Sequence, residues 1–420
     1  MRYAEVGNFT RCSILVLCHI ALLFFMPQST FGQTFDEAEV IKQEIVAEGF
    51  ENVFIEKTDS VTLIGYENRR YRFEPAALAK VLEIANASIK NLTSFLFVIH
   101  YQGIPMLYAN IHSGDYSDYL DGKLTLNELS KLITISMEND QYQKSKRNTS
   151  NKAFLKADIA IVPQYRGQFG DFSNPVKTDF DLAPELNMQL TRGLSIKAQL
   201  KFPVYNDFIG KDGSTAIEPG LLTLNQLVRL EDNFFVNATA GFFTLNRAGG
   251  NLELKKYFGN GNFAIGASTG YTAFHNLTSR SYEYFEDDSY ITGILLAEYR
   301  YLPYDVTGKV QIGNFLYNNL AARFDILRQF GEVKIGFFAL AAQSDEFNGG
   351  FNLAIPLPPR KFMKPRFIRI RQADEFKWEY GAKSFIESGI LHKTGSELND
   401  IMLEFNPDFF KKRLINSLPK

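Results

Sequence analysis

Cysteine is nearly absent: the 420-residue chain has two, Cys12 and Cys18. Both lie close to the start, so the rest of the chain has no disulfide, thiolate metal site or Cys nucleophile. Tryptophan occurs once, histidine five times, and the net charge is only −2, a balance that gives no support to a nucleic-acid partner. Mean hydropathy is −0.15, too low for a bundle of membrane helices. No nucleophile elbow, phosphate loop, dinucleotide fingerprint or zinc-binding histidine pair at helical spacing occurs, so neither a catalytic residue nor a cofactor is expected. What the chain has is aromatics, 38 Phe and 20 Tyr. A membrane β-barrel combines such richness with modest hydropathy, because only alternate strand residues face lipid.

The first residues read as an export leader. Arg2 and Arg11 precede an apolar run from Ser13 to Met26, and Thr30-Phe31-Gly32 offers a small-residue cleavage site before Gln33. The run is shorter than the roughly 20 residues of a spanning helix, which favours a cleaved signal peptide over an anchor. Leu17 stands before Cys18 where a lipoprotein signal wants a small residue.

Five segments follow from the pattern: a leader (1–32), an α+β periplasmic domain (33–137), a linker (138–152), an outer-membrane β-barrel (153–386) and a C-terminal segment (387–420). In the second, Ile41, Ile45 and Val46 share a helical face, and Pro75 to Ala87 restarts a helix. Asn52–Lys57, Val61–Tyr66, Arg70–Phe73, Phe95–His100 and Met106–Ile111 read as strands, and Leu126–Ile135 as a closing helix. Residues 138–152, ENDQYQKSKRNTSNK, are polar and aperiodic.

Beyond them the period becomes two. Leu194, Ile196, Ala198, Leu200, Phe202 and Val204 alternate with Ser195, Lys197, Gln199 and Lys201, an apolar face backed by a polar one. Similar segments recur to Leu357, giving about twelve strands, or fourteen if Phe367–Ile370 and Phe376–Tyr380 join. Joins alternate in length. Gly167–Lys177, Asn206–Gly220 and Ala273–Ser289 are long; Arg192-Gly193, Glu231-Asp232, Gly259–Asn262, Leu302–Tyr304 and Gly331-Glu332 are short. Outer-membrane barrels have this arrangement, with the short turns on the periplasmic side. A soluble sandwich would have shorter strands and no need of alternating loops.

Tyr299-Arg300-Tyr301-Leu302-Pro303-Tyr304-Asp305-Val306-Thr307-Gly308, Arg323-Phe324-Asp325-Ile326-Leu327-Arg328-Gln329-Phe330 and Gly349-Gly350-Phe351-Asn352-Leu353-Ala354-Ile355-Pro356-Leu357-Pro358 resemble the barrel of the YjbH family of exopolysaccharide-associated outer-membrane proteins. The resemblance implies a role in secretion or surface assembly of an exopolysaccharide or capsule, with that polysaccharide, periplasmic export proteins and outer-membrane lipid as partners. This chain is short for the family and ends in Leu418-Pro419-Lys420 without a terminal aromatic. Asn406-Pro407 ahead of Phe409, Phe410, Leu414 and Ile415 reads as a capped amphipathic helix after the barrel.

Two sets of residues stand out as contact candidates. By the alternation Lys197, Lys201, Lys255, Lys309, Arg323 and Asp325 face inward, either to meet a hydrophilic glycan or to pair with one another and fill the lumen. Arg360, Lys361, Lys364, Arg366, Arg369 and Arg371 form a basic run suited to an anionic glycan or lipid phosphates, or to a solvated rim. His100 and His112 lie on adjacent predicted strands, yet with no third ligand no metal is expected. Ser117–Glu128 imitates half a calcium loop but lacks carboxylates at its first and third positions, and reads instead as a capped turn. Glu286-Asp287-Asp288 falls on a predicted outer loop, where a solvated acidic tip is favoured over a glycosidase pair. The sequence thus predicts a non-enzymatic outer-membrane barrel assisting exopolysaccharide secretion; the alternatives are a secreted or periplasmic soluble β-domain that binds glycans and a barrel-embedded hydrolase.

Overall fold

Helical spacing shapes the start of the ordered chain: in Glu37–Glu48 (α1) Ile41 and Ile45 lie one turn apart, and both are buried. The structure, a computed structural model, describes residues 37–419 except 59, 90–91, 140–141, 143–147, 170–175, 209–215, 232, 278–280, 344–346 and 383–388. The expected leader, and 140–141 and 143–147 of the expected linker, lie outside the described residues.

After α1 come Glu51–Lys57 (β1), Val61–Glu67 (β2), Glu74–Ser88 (α2), Ser94–Tyr101 (β3), Ile104–His112 (β4), Ser113–Leu120 (α3), Leu126–Leu132 (α4) and Thr134–Ser136 (β5). The five strands form one sheet in chain order, with α2 connecting the parallel pair β2 and β3 and the other neighbours antiparallel. Pro75 opens α2, where the lost N–H is no loss. Thr125 and Glu128 close a reciprocal capping box on α4.

Two local expectations fail. Residues 70–73 shrink from a strand to a single antiparallel bridge, Tyr71 with Lys361, because the Asn68 side-chain oxygen accepts from the backbone N–H groups of Arg70 at 2.9 Å and Tyr71 at 2.8 Å and bends the chain there. The closing helix ends at Leu132, and Ile135 pairs with Ala109 as part of β5, taking up the edge of β4.

Twelve strands of 10 to 20 residues follow: Ala157–Phe169 (β6), Val176–Thr191 (β7), Leu194–Asn206 (β8), Glu218–Arg229 (β9), Phe234–Phe243 (β10), Arg247–Phe258 (β11), Phe263–Leu277 (β12), Tyr282–Tyr301 (β13), Val306–Phe315 (β14), Asn319–Phe330 (β15), Val333–Ala342 (β16) and Phe347–Pro356 (β17). Each pairs antiparallel with its sequence neighbours. Two more, Ile368–Gln372 (β18) and Glu375–Gly381 (β19), bring the sheet to 14 strands. Ala273–Ser289, expected as a loop, is mostly ladder: β12 and β13 stay paired out to Leu277 and Tyr282.

The sheet order is open, with β18 at one edge and β19 at the other. Yet the edges meet. Residues 373–374 separate β18 from β19; β18 pairs in parallel with β6, while β19 pairs antiparallel with β17. Tyr165 and Phe169 of β6 touch Trp378 and Tyr380 of β19, with ring centroids 5.3 to 6.5 Å apart. The sheet is therefore rolled into a hollow, its last passage serving one neighbour below and another above.

The short turns of the rolled sheet lie against the five-stranded sheet. Gly193 donates its N–H to the Gln102 carbonyl at 2.8 Å, Arg229 bonds the carbonyls of Pro105 and Met106, and Arg72 pairs with Glu332 at 2.5 Å. One apolar core runs through both, joining Phe97, Met106 and Ile133 to Leu227, Phe235 and Tyr257 and to Met402, Phe410 and Leu414 from the end of the chain.

Candidate functional site

Alternation sorts the rolled sheet into a polar inside and an apolar outside. Inward residues such as Asn237 and Lys255 are 0% and 3% exposed, whereas the outward Leu200, Phe337 and Leu295 are 50%, 64% and 69% exposed. In a water-soluble protein the pattern runs the other way.

The hollow is occupied by the chain itself. After β19 the segment 389–404 passes through it from the far turns to the near ones. At the far end Leu316 N–H donates to the Ile390 carbonyl at 3.1 Å and Thr244 N–H to that of Lys393 at 3.1 Å. Midway, Lys197 donates to the Gly395 carbonyl, and Asn237 to that of Ser396 at 2.7 Å. A short helix, Leu398–Met402 (α5), follows. Lys255 reaches Asn399 at 2.6 Å, Lys377 pairs with Asp400 at 2.8 Å and Lys334 with Glu404 at 3.5 Å. At the near end Arg300 bonds the Leu403 carbonyl at 3.2 Å. Pro407–Ser417 (α6) then packs into the shared core. Asn406 caps it, its side chain accepting from Phe409 N–H at 2.9 Å, as the Asn-Pro pair predicts.

The inward candidates are largely paired. Lys197 meets Glu185 at 3.2 Å, Lys255 meets Glu298 at 2.9 Å, and Lys309 meets Asp325 at 3.6 Å. Arg323 bridges Asp325 at 2.9 Å and Glu379 at 3.1 Å. Lys201 sits in register with Glu218. Beside the occupying segment a cavity of about 680 Å³ remains, reaching β6 and β19.

The basic run divides. Arg369 is buried and holds Asp158 with two bonds, at 2.7 and 2.8 Å; Arg371 bonds the same carboxylate at 2.9 Å. This cluster ties β18 to β6, and Arg69 adds a contact at 3.8 Å. Lys361 pairs with Glu48 at 2.6 Å, and Lys364 donates to the Ala47 carbonyl. Among the described residues Arg360 and Arg366 have no ion pair and are exposed. Six like charges interleaved with apolar residues gave no sign of which cations would be buried.

Other candidates resolve simply. His100 and His112 lie at opposite ends of the β3–β4 pair, His100 opposite Pro105 and His112 opposite Ser94. Among the described residues no group of three His, Cys, Asp or Glu is placed to hold a metal. Ser117–Glu128 is the end of α3 and the capped start of α4. Glu286-Asp287-Asp288 lies on β13, where Asp288 pairs with the buried Arg247 at 3.2 Å. The sequence reading missed the occupying segment, whose residues have neither period; its only sign was the Asn-Pro cap at its end.

In the α+β layer, burial raises two carboxyls, Glu67 to about 7 and Glu74 to about 8. Glu67 accepts from Asn52 at 2.7 Å and from Gly103 N–H at 2.8 Å.

The family model described as "Exopolysaccharide biosynthesis protein YbjH" matches residues 26–219 and 215–364. No curated protein matches the chain. Among solved structures, a loop-deletion mutant of OmpT, an outer membrane protein of Vibrio cholerae, is 14% identical, with 47% of this chain and 86% of that one covered and a TM-score of 0.28. In-vitro folded OmpT of Vibrio cholerae is 12% identical over 47% of this chain and 79% of that one, with a TM-score of 0.25. Those likenesses are too slight to bear on the fold.

Proposed function

The chain belongs to the YjbH family of exopolysaccharide biosynthesis proteins, and from that premise we propose that it is a non-enzymatic outer-membrane β-barrel that assists exopolysaccharide or capsule secretion and surface assembly. One observation carries the membrane placement: twelve consecutive strands, each at least 10 residues long, turn apolar side chains outward and buried polar ones inward. A tilted strand needs about 9 to 11 residues to cross the hydrocarbon layer, and exposed apolar belts of this extent mark a membrane or a large partner.

The occupied hollow favours assistance over conduction. Residues 389–404 take up much of the hollow, so the barrel acts as a surface fixture while the α+β layer, on the periplasmic side with the short turns, receives export proteins. The test combines fractionation with heat-modifiability on gels. The expected result is an outer-membrane protein whose unheated band runs faster than the boiled one, together with loss of surface polysaccharide when the gene is deleted. A single band in the soluble fraction would replace this reading with a soluble glycan-binding β-domain.

A further inference from the structure

The chain between β17 and β18 runs along the near rim of the rolled sheet, and its course is fixed from the inner side. Lys361 makes a bridge with Tyr71, Phe362 donates its N–H to the Arg70 carbonyl at 2.8 Å, and the Phe367 carbonyl accepts from Ala157 N–H at 2.8 Å. Arg369 donates to the Met363 carbonyl at 3.2 Å. Phe362 is turned inward, with the Arg371 guanidinium 4.6 Å from its ring centroid. With the backbone pinned in this way, Met363 and Phe367 are left 66% and 73% exposed, and Phe367 is the most exposed phenylalanine among the described residues. Ile368 and Ile370, both exposed, carry the same face along β18, where Ile370 stands in register with Ile159 of β6. The apolar belt therefore continues without a break down to this loop.

The cations of the loop are unevenly matched. Lys361 has Glu48, and Lys364 has a backbone carbonyl, that of Ala47. The side chains of Arg360 and Arg366 are exposed and meet no acceptor among the described residues. Two unpaired guanidiniums thus share a short loop with two exposed apolar side chains. A water-soluble anionic glycan would satisfy the guanidiniums and leave Met363 and Phe367 in water. A phospholipid satisfies both, its phosphate accepting from a guanidinium fork and its acyl chains covering the apolar residues. A headgroup that carries its own cation would bring it up against the arginines, so a net negative one fits best. We propose that the loop 360–367 is a binding site for an anionic phospholipid of the periplasmic leaflet, with Arg360 and Arg366 at the phosphodiester and Met363 and Phe367 among the upper acyl carbons. The inference rests on the membrane-barrel reading above and names the class of lipid that such a barrel holds at its near rim.

The test places the full-length protein in nanodiscs of equal parts phosphatidylglycerol and phosphatidylcholine and counts the lipids it retains by native mass spectrometry. The expected result is a several-fold excess of phosphatidylglycerol, falling to parity in Arg360→Gln/Arg366→Gln. Phe367→Ser, which keeps both arginines, should lower phosphatidylglycerol retention as well. The altered arginines have no partner to lose, so the double variant should keep its fast-migrating unheated band, scored on the same samples. Parity on the unaltered protein, or an excess that survives loss of both arginines, would overturn the site and leave the barrel standing. An excess untouched by Phe367→Ser would reduce the contact to charge alone and overturn it as a lipid site. Binding of polygalacturonate that the double variant abolishes, without any lipid excess, would assign the arginines to an anionic glycan instead. Absence of a heat-modifiable band from the unaltered protein would remove the barrel reading, and this inference with it.

Discussion

Leu200 and Lys201 are neighbours in sequence whose side chains point to opposite sides of β8, and single substitutions there separate a membrane protein from a soluble one. Leu200→Arg places a charge on the apolar belt, at a cost of about 2 to 4 kcal/mol near mid-bilayer. The expected outcome is poor recovery of the heat-modifiable form; near-normal assembly would count against lipid contact at that face. Asp158 is a different case, a buried carboxylate shared by Arg369 and Arg371. Asp158→Ala strands the buried Arg369 guanidinium and leaves Arg371 only Asp374, and should cost about 3 to 5 kcal/mol, seen as loss of the fast-migrating band at a lower temperature. Glu67 and Glu74 carry a pH prediction. Both carboxyls are raised above the usual 4.5, so the folded state holds protons that the unfolded chain releases. Their contribution is complete below about pH 4.5 and is lost as pH rises through about 7 and 8. Thermal unfolding of the detergent-solubilised protein should therefore occur at a lower temperature at pH 8 than at pH 5, and Glu74→Gln should narrow that gap by a few degrees.

At the scale of elements, the long strands were legible because burial on one face leaves a period of two, and β8 repeats it residue by residue. The helix caps were legible too: Thr125 with Glu128, and Asn406 with Pro407, act through neighbours in sequence. The turn at Asn68 was misread because its apolar spacing imitates a strand while one side-chain oxygen decides the conformation. Segment 389–404 was illegible for a deeper reason. Its contacts come from β8, β10, β11, β13, β16 and β19, and no local pattern encodes partners so far away in the chain. That segment makes its own prediction. Asn399→Ala with Asp400→Ala removes the acceptors that the segment offers to Lys255 and Lys377, leaving those lysines to Glu298 and Glu375 and the helix formers of α5 in place. Planar-bilayer recordings should show larger and noisier conductance than the parent; unchanged conductance would mean that the remaining anchors hold it in place.

For the molecule as a whole, the shared core changes what the α+β layer is. The sequence reads as a domain on a polar tether, yet Leu227, Phe235 and Tyr257 of the rolled sheet share one apolar cluster with Phe97 and Met106. Coupled in this way, the two parts should unfold together: hydrogen exchange in β3 and in the near ends of β9 and β10 should share one protection level, and separate levels would argue for independent domains. The passage of residues 389–404 through the hollow has a further consequence, one of topology. A segment joined to β19 at the far end and to α6 in the core at the near end cannot be slipped into a finished cylinder sideways. Either the sheet wraps round it, as round a mandrel, or the segment threads through lengthwise before the last helix docks. In both cases the docked helix acts as a stopper at the near end, so withdrawal of residues 389–404 first requires that helix to leave the core.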